Sequence, residues 1–163
     1  EFMFVSYLKY TTFESLSDDF IAVLEPLGSF YPELHGNRLG IRYINNIELP
    51  AHDPMDWSAY IDAGLLGLFD RFNEDRAAIA RLFHIAEFKY DDMLVKFQFG
   101  IPNPDFPAPV RQSAFILDID AFVPGLIEFS DVEGIISMAH SHIQGLFESS
   151  ITDALREKMH ERI

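Results

Sequence analysis

The sequence predicts an α+β fold, a mostly antiparallel sheet packed on a long C-terminal helix, with a second helix after the first strand. Three observations lead there. Apolar and polar residues alternate along residues 38–49, 93–101 and 113–123, the period of a half-buried strand. Residues 130–162 carry their apolar side chains at helical spacing instead. The chain has 163 residues, 48% of them hydrophobic and sixteen of them phenylalanine, which suffices for one domain with a substantial core.

In chain order, residues 2–9 are aromatic and β-branched and read as an opening strand. Thr11-Thr12-Phe13-Glu14 caps a first helix whose apolar face is Phe13, Leu16, Phe20, Val23, Leu24 and Leu27, with Pro26 and Gly28 ending it. Residues 31–36 connect it to the clearest strand, 38–49. There Leu39, Ile41, Tyr43, Ile47 and Leu49 share one face, and Arg38, Arg42, Asn46 and Glu48 the other. Asn45 falls on the apolar face, so its amide either bonds to a neighbouring loop or lines a cavity. Residues 50–54 break the chain, Asp56 caps a helix over 57–63, and 65–73 form a short amphipathic helix.

Residues 79–90 and 93–101 form a hairpin turning at Asp91-Asp92. Four prolines make residues 100–109 a loop, since proline cannot donate to a ladder. In the closing strand, 113–123, Phe115, Leu117, Ile119 and Ala121 point inward and Asp118 and Asp120 outward, and Pro124-Gly125 ends it. The long helix opens with a capping box, Ser130-Asp131-Val132-Glu133. Its stripe is Val132, Ile135, Ile136, Ala139, Ile143, Leu146, Phe147, Ser150 and Ala154, which places Leu146 and Phe147 between helix and sheet.

Charge narrows the partners. Twelve basic residues against twenty-six acidic ones give a formal charge of −14, which disfavours direct binding to a phosphate backbone. No run is long and apolar enough to span a membrane, and Glu1-Phe2-Met3 lacks the basic start of a secretory signal. The absence of cysteine excludes disulfides and thiolate metal sites and fits a cytoplasmic protein.

The segments Arg38-Leu39-Gly40-Ile41-Arg42-Tyr43-Ile44-Asn45, Leu117-Asp118-Ile119-Asp120-Ala121-Phe122 and Phe147-Glu148-Ser149-Ser150-Ile151-Thr152 follow one another in order. Together they resemble an uncharacterised, sporadically distributed bacterial protein family with GLRYIN-, LDIDVF- and FESSIT-like signatures. Ile41 stands for the usual leucine and Ala121 for valine, both conservative. The resemblance implies that this chain is the C-terminal part of a longer protein whose further strands complete the sheet. It implies no reaction and no catalytic residues.

The residues themselves offer three chemical constellations. Asp118 and Asp120 alternate on one strand face, roughly 7 Å apart at about 3.3 Å per residue, a spacing suited to acid/base work or to a divalent cation. The competing reading is a solvated face with cross-strand partners such as Arg42. Glu87-Phe88-Lys89 matches the E-x-K half of a nuclease metal site, against which stand the acidic charge and an ordinary cross-strand ion pair. In His140-Ser141-His142 the two rings lie roughly 160° apart around the helix at about 100° per residue, so they do not share an ion. His84, on the face with Leu82 and Phe88, reads as a core histidine. No nucleophile elbow, phosphate-binding loop or dinucleotide fingerprint occurs, and no cofactor or metal site is expected.

Two function classes follow. The first is a non-catalytic interaction or ligand-binding module, with a protein partner or a homo-oligomer as its assembly. The second is a metal-dependent, nuclease-like hydrolase using Asp118, Asp120 and Glu87.

Overall fold

The structure, a computed structural model, describes residues 3–9, 11–49 and 53–160. Its sheet is built from β1 (Gly36–Glu48), β2 (Leu82–Tyr90), β3 (Met93–Ile101) and β4 (Ala114–Ile127), in the order β1-β4-β3-β2 with every pair antiparallel. The predicted alternation fixes which face is inside. Across the sheet, Ala86, Phe97, Ile119 and Tyr43 form one inward row, and His84, Phe99, Leu117 and Asn45 the next. Leu117, Ile119 and Ala121 are fully buried, as period-two burial requires. The hairpin turns at Asp91, whose φ of 50° is a conformation that aspartate tolerates. Gly100 (φ 147°) lies so close to β2 that a Cβ there would strike the Leu82 carbonyl.

All the helices sit on the inward side. α2 (Ala63–Arg71) supplies Leu66 and Phe69 to the core, α3 (Val132–Ser150) Ala139 and Ile143, and α4 (Asp153–His160) Leu155. α1 (Phe13–Phe30) packs against α3, with the Phe13 ring stacked on His140 at 4.0 Å between centroids. Thr12 caps α1 as expected, accepting from the Ser15 amide at 3.2 Å.

Several local expectations are corrected. Residues 3–9 are not a strand: Tyr7 hydrogen-bonds Asp19 and the segment lies against α1, so it has no ladder to join. Pro26 and Gly28 do not end α1. It runs to Phe30, with Gly28 against the Phe129 ring and Pro26 at an exposed position of the helix. The helix expected over 57–63 is a single turn in which Asp56 accepts from Ser58, and it is Asp62 that accepts from Gly64 where α2 begins.

Pro124-Gly125 does not stop β4 either. Beyond Phe122 β1 is the one strand beside it among the described residues, so a missing N–H is tolerated, and Gly125 takes a φ of 105° while the β1 register slips between Gly36 and Arg38. The long helix is two. Ile151 leaves α3 in an extended conformation and bridges Ile61, while Thr152 accepts from Leu155 and bonds the Ala59 carbonyl, opening α4. Ala154 is therefore exposed and Leu155 takes its place in the core, with Leu146 and Phe147 half-buried at its margin. The capping box does not form, because Ser130 already lies in a 3₁₀ turn (Phe129–Asp131) and bonds Asp131 instead.

Candidate functional site

With every helix on one side, the opposite face of the sheet is left open by the described residues, and strand register assembles its side chains into rows. Glu87, Lys96, Asp120 and Arg42 form one row from β2 to β1, and Ile85, Gln98, Asp118 and Ile44 the next. The first row alternates in charge. The second places an isoleucine at each end, 58% exposed at Ile85 and 56% at Ile44, around an amide and a carboxylate.

Asp118 and Asp120 share this face as predicted, but neither is a free carboxylate. Arg42 donates from Nε to Asp118 Oδ1 at 2.7 Å and from Nη2 to Oδ2 at 2.6 Å, a bidentate fork. Arg38 donates to Asp120 Oδ2 at 2.9 Å and lies over the Phe122 ring at 4.0 Å. The expected solvation of Asp118 is corrected: it is 8% exposed, flanked by two neighbouring strands with Arg42 closing over it. Its hydrogen bond raises the Arg42 guanidinium above the ordinary value, outweighing the opposing effect of burial.

Glu87 lies on the same face but two strands from Asp120, about 10 Å at the usual spacing of about 4.8 Å, with Lys96 between them. Glu87 therefore stays apart from Asp118 and Asp120, each of which is held by an arginine of β1. No group of three or more histidine, aspartate or glutamate side chains able to hold a metal occurs among the described residues. Millimolar Mg²⁺ or Mn²⁺ is accordingly expected to leave the melting temperature unchanged. A rise abolished by Asp118→Asn with Asp120→Asn would return the carboxylates to metal binding.

His84, His140 and His142 point away from this face. His140 stacks on Phe13 and meets the Tyr43 hydroxyl at 3.4 Å, whereas His142 stacks on Tyr90 at 4.3 Å between centroids, so the two diverge as the helical angle requires. His84 lies between Phe69 and Phe99 at 5.4 and 5.1 Å, with its Nε2 buried and without a hydrogen-bond partner among the described residues. Burial lowers its pKa. The unfolded chain takes up this proton near pH 6.5 and the native state only below that, so the site's contribution is complete above pH 6.5 and is lost on acidification. His84→Leu is expected to gain melting temperature relative to the parent as pH falls from 7.5 to 5.5. An offset that stays constant would show that His84 is not held neutral.

Asn45 does both things expected of it, with one change of partner. Its Nδ2 donates to the Leu117 carbonyl at 3.2 Å, on the neighbouring strand rather than a loop, and the residue lines a cavity of about 150 Å³ with Ile47, Phe147 and Leu155. That volume falls below the roughly 300–1,000 Å³ of ordinary ligand sites.

Sequence reasoning missed Ile44 and Ile85. The available signal was that each interrupts the polar phase of its strand. No helix among the described residues is long and apolar enough to cross a membrane. No family model, curated protein or solved structure matches the chain.

Proposed function

We propose that this chain is a non-catalytic protein-interaction module that uses the open face of its sheet as the contact surface. The observation supporting this is the pair of exposed isoleucines, Ile44 and Ile85, flanking acids already neutralised by Arg38 and Arg42. Covering the apolar side chains is favourable, and charges already paired with each other cost less to cover than free carboxylates do. Enzymatic use of Asp118 would have to displace a bidentate guanidinium first. Membership of the family with GLRYIN-, LDIDVF- and FESSIT-like signatures is proposed on the sequence resemblance alone and adds no reaction.

The test is affinity capture with the intact protein and with an Ile44→Asp/Ile85→Asp variant. Both positions are exposed, so the variant should melt like the parent while losing whatever the parent binds. Equal capture by the two proteins would remove the open face from this role.

A further inference from the structure

We infer that the occupant of the open face is a second copy of this chain, docked face to face about a two-fold axis parallel to the strands and midway between β3 and β4. This rests on the interaction-module reading and names its partner. A two-fold axis in that position reverses strand order, so β2 of one copy lies over β1 of the other and β3 over β4. Glu87 then faces Arg42 of the second copy, and Lys96 faces Asp120, each pair occurring twice. In the adjacent row Ile85 meets Ile44, and Gln98 lies over Asp118, whose carboxylate Arg42 already covers. In these two rows the charged contacts are thus acid to base and the isoleucine contacts apolar to apolar, while in the flanking rows Leu94 meets Phe122 and Phe83 meets Asn46.

The competing two-fold axis, perpendicular to the strands, fails the same test. Laid along the charged row it sets Glu87 on Glu87 and Lys96 on Lys96, and laid between the rows it sets Asp120 on Asp118. Like charges so placed are repulsive. Of these placements the axis along the strands is the one that sets acid on base throughout the charged row, which a row read −, +, −, + guarantees and an arbitrary row would not. Aligned sheets cross at about 30°, which offsets the edge strands by roughly one residue step, so the complementarity belongs to rows rather than to single atoms.

Size sets the strength. Four strands at about 4.8 Å and seven residues at about 3.4 Å give a flat footprint of about 450 Å² per copy, below the standard size of specific interfaces and in the range of weak, transient ones. The association should therefore be reversible and concentration-dependent.

Sedimentation velocity of the purified chain, from low micromolar to near-millimolar concentration, should show the average mass rising from that of the monomer toward twice that value. Ile85→Lys alone and Ile44→Glu alone should each stay monomeric, because each sets a charge against an isoleucine twice over. Their equimolar mixture should recover association, since one junction becomes lysine against glutamate and the other remains isoleucine against isoleucine. Circular dichroism melts of the single variants should match the parent, as both sites are exposed. A parent monomeric at every concentration, or a mixture no more associated than its components, overturns the second-copy inference. The broader module reading fails by a different result, capture of partners that ignores Ile44→Asp/Ile85→Asp.

Discussion

Phe115→Ala is expected to destabilise the fold by about 3–5 kcal/mol, through lost burial and the cavity left behind. Phe115 is fully buried, with its ring 5.3 Å from that of Trp57 and 5.8 Å from that of Phe69. It therefore joins the closing strand to two elements distant from it in the chain, the turn before α2 and α2 itself. A cavity there has few ways to collapse. Trp57 is the chain's one tryptophan, and its indole N–H donates to the Pro54 carbonyl at 2.9 Å. Urea unfolding followed by its fluorescence thus reports on the site that is disturbed. A loss below about 1 kcal/mol from the shift in midpoint would mean that the ring is not enclosed as described. Phe147→Ala, at a half-buried position, should cost distinctly less.

The sheet's inner and outer faces were legible because period-two burial is a local property of each strand. Leu117, Ile119 and Ala121 against Asp118 and Asp120 needed no knowledge of their neighbours. The Thr12 cap and the Asp91-Asp92 turn are local too. What escaped depends on pairing between distant segments. Residues 3–9 have strand-like composition, but a strand exists only where a ladder accepts it, and Tyr7 is engaged with α1. Pro124 is tolerated because β3 has already turned away from β4. The break at Ile151 follows from its bridge to Ile61, some ninety positions earlier, although the adjoining Ser149-Ser150 and Thr152-Asp153 carried a stop-and-restart signal. The face was likewise half legible. The carboxylates and Arg42 were visible as types, whereas the order of charges across the sheet became readable only once the strand order β1-β4-β3-β2 placed β4 between β1 and β3.

Arg42→Met is expected to cost about 2–3 kcal/mol, nearly all of it through the carboxylate left behind. Asp118 is almost buried, while Arg42 keeps about half of its side chain in solvent (10% and 55% exposed). The two partners are therefore unequal. Removing the arginine strips a poorly hydrated carboxylate of both its donors, at 2.7 and 2.6 Å. Removing the aspartate, as in Asp118→Leu, leaves a guanidinium that water can solvate, so that loss should be the smaller. The double variant Arg42→Met/Asp118→Leu should recover most of the stability, because it deletes the unpaired charge along with its partner. Arg42→Lys should fall between parent and Arg42→Met, since an ammonium supplies charge without the planar fork that fits both carboxylate oxygens. Urea midpoints of the four variants at one pH decide the matter. Equal costs for Arg42→Met and Asp118→Leu, with a double variant no better than either, would show that the pair is a surface contact rather than the support of a buried carboxylate.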